Sequence, residues 1–470
     1  MTPATGPRWV AAIAGTLFLI VFLAVPTARP GSLLRDFNAF YCAGATVLDH
    51  QDPYLNEPLG TCERNAPRAA FLEHAPAYMT VPAPLPGYAL APFAVLALLP
   101  YDSAALVWTA LLVLAFAFTV SCLREMTSLP GTTVVAALAL SDGYVGLTLG
   151  QIAPIAIAAM VGTAYALRRG RMTTASVCAA LAMLEPHIGV PTCIALAAAR
   201  PKSLLPLGVL ALALGGVSLV LLGAQANVEY FARVLPAHAL AEIDNVKQLS
   251  LAYLLHGAGV EASTALRMGD GMYLAAIAAG AVMARRLPDN GRDNALLIFL
   301  PVALGTAFAP FLHIVQVAAV IPAALVLFAR QRDDRLRALT VMLLAVPWPQ
   351  FASLGTAFPL LAAADVGLLA SGFLSATGVL VAATLALLAA AAPTYVITPV
   401  NDPTVVLLPA YDPHALAQTS WGAYIGLVGT QDAPAYTLAR IPTWSGLALL
   451  CAGTARALRL SRTRRERPPS

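Results

Sequence analysis

Charge is what this sequence has least of. Only 11% of its 470 residues are Asp, Glu, Lys or Arg, against about a quarter in an ordinary soluble domain. A soluble chain of this length would need charge to cover its surface. Aromatics are sparse as well, at 7%, whereas 59% of residues are hydrophobic, so the apolar excess is mostly Ala, Leu and Val. No Gly-rich phosphate loop, no internal repeat of about 20–50 residues and no acidic cluster that would compel a metal is visible. The composition excludes a soluble enzyme, a disordered chain and a nucleic-acid binder, and the lack of a Gly-rich loop or soluble domain disfavours a nucleotide-sugar enzyme. What they leave is an all-α polytopic membrane protein, a single integral membrane domain over 1–470 with about 11–14 transmembrane helices.

The few charges orient that domain. Short loops rich in Lys and Arg stay cytoplasmic. Segment 9–25 follows Arg8, so the N-terminus is expected inside. Residues 26–102, 223–271 and 393–441 then form outer loops, and 459–470 is a basic cytoplasmic tail. This scheme places 20 of the 28 Lys and Arg residues inside and gathers the histidines at or near the outer side. Chemistry, if there is any, is expected at the outer face of a cell membrane. The stretch 84–99 is apolar but holds Pro84, Pro86 and Pro92, and is expected to lie along the outer surface rather than cross. Residues 172–184 and 187–199 read as half-crossings broken at Glu185-Pro186-His187. Segments 272–284 and 443–458 read as inward crossings. The stretch 354–392 reads as a hairpin, with its single charge, Asp365, at the turn.

Six cysteines are present. Cys122, Cys178, Cys193 and Cys451 lie in apolar segments and read as small buried hydrophobes. Cys42 and Cys62 both fall in the first outer loop, where an oxidising exterior permits a disulfide. Closing a loop of that size is worth roughly 3 kcal/mol in the chain-entropy model.

Directly after the first apolar segment comes Arg35-Asp36-Phe37-Asn38-Ala39-Phe40-Tyr41-Cys42-Ala43-Gly44. Residues 37–48 can form a helix with Phe37, Phe40, Tyr41, Gly44 and Leu48 on one face, and Asp52-Pro53-Tyr54 reads as a turn. Asp36 has two readings of equal weight. It is either a helix N-cap accepting backbone N–H bonds, or a carboxylate at the membrane boundary poised as a general base toward a hydroxyl. Glu185 is an ionisable group deep in an apolar stretch, which by itself suggests a functional site. Pro186 pushes it out of helical geometry, so the break should face a polar cavity, which Glu185 and His187 either line or replace with a buried structural pair.

The run Asp36-Phe37-Asn38-Ala39-Phe40-Tyr41-x-Ala43-Gly44 followed by Asp52-Pro53-Tyr54 resembles the start of glycosyltransferase family 87. These are integral-membrane, GT-C-type enzymes, similar to α-mannosyltransferases, that use polyprenyl-phosphate sugars. Further similarities follow in family order. They are Pro82-Ala83-Pro84-Leu85-Pro86 with Pro92 and Trp108, then Gly150-Gln151, Gly170-Arg171, Pro186-His187-Ile188-Gly189, Gln248-x-Ser250-Leu251 and Pro310-Phe311-Leu312-His313. The resemblance spans about residues 30–330 and rests on order and spacing rather than on any one motif.

The resemblance implies a GT-C-like bundle whose first outer loop carries short surface helices. It implies that Asp36 deprotonates an acceptor hydroxyl and that the sugar is transferred with inversion from polyprenyl phosphate. His313 would hold the lipid phosphate, and Gln151 would bond the sugar or phosphate. His187 and Glu185 would line the donor site, and Asn38, Tyr41 and Tyr54 would support the acceptor or the loop. Glu185 departs from the pattern, because the family usually has Lys there. A carboxylate at that position would pair with an Arg, accept sugar hydroxyls or act as a second base. Arg35, Arg64 and Arg68 are nearby outer-loop cations that could supply the missing charge, though a surface role is expected. The implied partners are a polyprenyl-phosphate sugar (a mannose-like hexose or a pentose), a glycolipid, polysaccharide or protein acceptor, and the bilayer. No cofactor and no nucleic acid is implied. A lipid-linked-sugar flippase and a non-catalytic assembly factor of the same fold are the competing functions. A transporter predicts paired repeats and midplane ionisable groups; no repeat is visible, and the polar residues cluster at the outer side.

Overall fold

The computed structural model describes residues 8–24, 34–66, 79–287, 295–331, 333–351, 357–394, 412–429 and 433–466. Among them the chain is helical almost throughout, and the one extended pairing is an isolated bridge between Leu55 and Leu416. Helices Tyr101–Thr127, Gly131–Leu149 and Pro201–Glu242 are long and apolar enough to cross a membrane. The last is interrupted at Gly223, whose φ of 74° and ψ of 172° are not helical. On it Leu205, Leu212 and Val220 are strongly exposed, as suits a helix that meets lipid rather than protein. Leu296–Ala307, by contrast, is almost wholly buried at the centre of the bundle. The chain is an all-α polytopic membrane protein.

Prolines set several helix starts. Pro86, Pro100 and Pro130 are the N-caps of Gly87–Leu96, Tyr101–Thr127 and Gly131–Leu138, positions where a missing N–H costs little and a fixed φ favours the turn into a helix. Gly87–Leu96 has 10 residues. At 1.5 Å per residue it reaches about 15 Å, half the hydrocarbon thickness, so the stretch 84–99 holds no helix long enough to cross. It packs on the Arg35–Leu48 helix. A Cβ on Gly44 would come within 2.4 Å of the Phe93 carbonyl carbon, so only glycine lets the two backbones approach this closely.

The break expected near Glu185 is present. Helices Met172–Ala182 and Pro186–Ala199 flank it, and Glu185 is extended at φ −118°, ψ 98°, the geometry a following proline favours. Several expectations differ from the structure. The segment 443–458 is part of the longer helix Ala433–Glu466, and residues 223–242, expected in an outer loop, continue the apolar helix Pro201–Glu242. Residues 272–284 are the later part of the longer helix Ala262–Arg286, whose start is capped by Glu261 accepting from the Ser263 and Thr264 N–H groups. Arg267 and Asp270 interrupt the apolar run there and hid the first turns. Asp365 is not a turn residue. It lies inside the helix Ala357–Ala370, fully buried, with neither carboxylate oxygen hydrogen-bonded among the described residues. The chain reverses later, from Ser371.

Candidate active site

The Arg35–Leu48 helix is capped by Leu34, and Asp36 occupies its first turn. The N-cap reading of Asp36 therefore fails by two residues, and its carboxylate is directed elsewhere. Phe37 beside it is fully buried. Its ring stacks on Trp108 with centroids 5.9 Å apart and lies 5.8 Å from Tyr101. Gly150 packs against Phe37 and Leu34. It adopts φ +70°, and a Cβ there would fall 2.8 Å from the Phe37 Cβ. Trp108 Nε1 fixes the turn by donating to the Gly150 carbonyl at 2.8 Å. A left-handed glycine packed against Phe37 thus brings the next residue to Asp36, and Gln151 Nε2 donates to Asp36 Oδ2.

Asp36 is densely surrounded yet keeps some surface open, as a group lining a cleft does. Burial pushes its carboxyl up to about 6. This outweighs the Gln151 hydrogen bond and the charges of His313 and Arg35, which favour the carboxylate, while Glu242 adds to the rise. A carboxyl poised near neutrality is the condition for a general base.

His313 ends the loop that precedes the short helix Ile314–Val317. Its Nε2 is 3.3 Å from Glu242 Oε2 and 3.2 Å from the Gln248 amide nitrogen. Glu242 also accepts from Asn245 Nδ2 at 2.7 Å and from Trp421 Nε1, a donor set that suits a carboxylate. Gln316 couples this group to the break at 185. Its Oε1 accepts the His313 backbone N–H at 2.8 Å, and its Nε2 donates to Glu185 Oε1 at 3.1 Å. The same carboxylate oxygen lies 3.1 Å from His187 Nδ1. Tyr273 steadies His187 by donating to its carbonyl at 3.1 Å. Phe311 is the shared wall. His187, His238 and His313 have ring centroids 5.7, 5.3 and 4.7 Å from its own.

The structure therefore brings Asp36, Gln151, His313, Glu185 and His187 into one neighbourhood. Glu185 pairs with His187 and Gln316, and no Arg salt bridge to it occurs among the described residues. Asn38, Tyr41 and Tyr54 point elsewhere and brace the loop. Asn38 Nδ2 donates to the Glu63 carbonyl at 3.4 Å, Tyr41 OH to Leu99 at 2.9 Å and Tyr54 OH to Leu85 at 2.7 Å. Cys42 and Cys62 are joined by a disulfide, Cα to Cα 5.6 Å. Arg64 pairs with Glu57, and Arg68 lies outside the described residues. No group of three or more His, Cys, Asp or Glu residues able to hold a metal occurs among the described residues.

Sequence reasoning missed Glu242, Lys247, Gln316, Trp421 and Arg440. Gln316 had a signal, since a Gln three residues after a helix-start residue is the capping-box spacing. Glu242 had a weaker one, because it stands four residues after His238 on one helix face. Trp421 and Arg440 come from the last part of the chain, which the motifs do not reach.

Within the helical bundle lie a partly buried carboxylate with its amide partner and three histidines packed on one aromatic ring. Residues 86–312 match the family model for Glycosyltransferase family 87. The match covers just under half of the chain, and the ordered motifs that begin at Asp36 point to the same family; together they support a glycosyltransferase. No curated protein and no solved structure matches the chain significantly.

Proposed function

We propose that the protein transfers a sugar from a polyprenyl-phosphate donor to a hydroxyl acceptor at the outer face of the cell membrane, with both termini cytoplasmic. The observation that carries this reading is the state of Asp36, a partly open carboxyl pushed up to about 6 and held by Gln151 beside His313. In the reaction Asp36 removes the proton of the acceptor hydroxyl. The acceptor oxygen bonds to the anomeric carbon from the face opposite the phosphate. The bond from that carbon to the phosphate oxygen breaks, its electron pair leaves with polyprenyl phosphate, and the configuration inverts. Phosphate is already a good leaving group, so it needs charge compensation more than an acid. His313, oriented by Glu242, faces the phosphate. Glu185 and His187 accept hydroxyls of the sugar, a mannose-like hexose or a pentose. The acceptor is a glycolipid, polysaccharide or protein.

The test is transfer of label from a panel of radiolabelled polyprenyl-phosphate sugars to native membrane lipids, by the wild type and Asp36→Ala in nanodiscs. Positioned general-base catalysis contributes about 10²–10⁴-fold, so the variant should lose at least two orders of magnitude while still binding donor. Equal transfer by both would remove Asp36 as the base. Donor binding without transfer by the wild type would favour a flippase or a non-catalytic partner.

A further inference from the structure

One cation near Asp36 takes no part in the reaction described above. Lys247 lies in the segment between the helices Leu235–Glu242 and Leu251–Gly257, and that segment is pinned from both sides. Arg440, itself fully buried, donates from Nε to the Gln248 carbonyl at 2.8 Å and from its terminal nitrogen to the Val246 carbonyl. Trp444 Nε1 donates to the Leu249 carbonyl at 3.2 Å. On the opposite side, Leu249 N–H donates to the Leu312 carbonyl and Leu312 N–H to Gln248 Oε1, both at 3.0 Å. Asn245 accepts the Lys247 N–H at 2.9 Å while bonding Glu242. With both neighbours tied down, the backbone at Lys247 is fixed in place.

Its ammonium is close enough to Arg35 and Asp36 for their charges to act on it, and the next residue, Gln248, bonds His313 and the Leu312 N–H. Lys247 is only partly exposed, and its ammonium makes no hydrogen bond or salt bridge among the described residues. An ammonium carries three donors and is strongly hydrated. Holding one in a cleft beside a second cation is unfavourable unless an anion occupies the space. The carboxylates that crowd the cleft, Asp36, Glu242 and Glu185, would repel a phosphate, so an anionic ligand needs a compensating cation on this side.

We propose that Lys247, beside Arg35, joins His313 in seating the donor's phosphate and supplies the charge that holds it in line with Asp36. The inference rests on the polyprenyl-phosphate reading above. Burial and the neighbouring Arg35 lower the Lys247 ammonium to about 8, and an anion seated there would restore it.

The test compares binding of a polyprenyl monophosphate and the uncharged polyprenol of the same chain length to the protein in nanodiscs. The lipid tail contributes equally to both, so the difference reads the phosphate seat alone. The wild type should prefer the phosphate. Lys247→Met should lose about tenfold or more of that preference, the loss expected for one charge-assisted hydrogen bond, with polyprenol binding unchanged. Lys247→Arg should keep most of it. Lys247→Gln retains the length and polarity of the side chain, is the second variant should Lys247→Met fold poorly, and should show the same loss. A folded Lys247→Met or Lys247→Gln with the wild-type preference would overturn the assignment. A wild type that binds both lipids equally would instead overturn the lipid-phosphate reading itself, and this inference with it.

Discussion

Gln316 donates from Nε2 to Glu185 Oε1 across 3.1 Å, and the oxygen of the same amide accepts the His313 backbone N–H at 2.8 Å. One side chain therefore sets the spacing between the break after Met172–Ala182 and the loop that carries His313. Neither partner is a neighbour of the other in sequence, and each belongs to a different part of the bundle.

Replacing Gln316 with Leu removes both bonds and leaves Glu185 with His187 alone. A hydrogen bond to a charged group is worth about 1.5–3 kcal/mol, so sugar transfer should fall by about tenfold or more. Gln316→Glu should be worse, since it places a second carboxylate against Glu185. Initial rates at saturating and limiting donor check this. Unchanged rates in Gln316→Leu would mean that Glu185 and His313 act independently.

The pH profile should report Asp36. Its carboxyl is pushed up to about 6, and only the deprotonated form takes a proton, so kcat/KM should rise with pH through about 6 and be lost as pH falls below it. The hydrogen bond from Gln151 favours the carboxylate. Gln151→Leu removes it, and the acid limb should move to higher pH by about one unit, equivalent to roughly 1.4 kcal/mol. A limb that stays in place in the variant would separate Gln151 from the base.

Arg440 should matter more to assembly than its position suggests. It is fully buried, donates to the Val246 and Gln248 carbonyls and stacks its guanidinium 4.2 Å from the Tyr253 ring centroid. Arg440→Leu strands two carbonyls and should cost about 3 kcal/mol. Thermal unfolding in detergent measures that loss, and a raised KM for donor should accompany it as the Lys247 segment loosens. Arg440→Lys should recover only part, because an ammonium lacks the rigid fork that spans both carbonyls. Full recovery would mean that charge alone holds the segment.

Local patterns were legible where one residue forces its neighbours. Pro186 announced the extended Glu185, and the spacing of Phe37, Phe40, Tyr41 and Gly44 announced the helix that begins at Arg35. Gly150-Gln151 was visible as a pair, but not that the glycine's left-handed turn packs on Phe37 and delivers the amide to Asp36. Asp365 shows the opposite case. A lone charge in an apolar stretch reads as a turn, and its burial within a helix could not be known before its neighbours were placed.

By itself the sequence determined that this is a helical membrane protein, because 11% charge cannot cover a soluble chain of 470 residues. It also singled out Asp36, Gln151, Glu185, His187 and His313 through motifs only a few residues long. Tertiary structure alone decided that these side chains meet, that Glu242 and Gln316 hold them, and that Arg440 pins the segment bearing Lys247 from nearly 200 residues further along the chain. The physical reason is range. Backbone geometry and periodicity are set by adjacent residues and can be read in order, whereas a hydrogen bond between distant segments exists only once packing has fixed both ends.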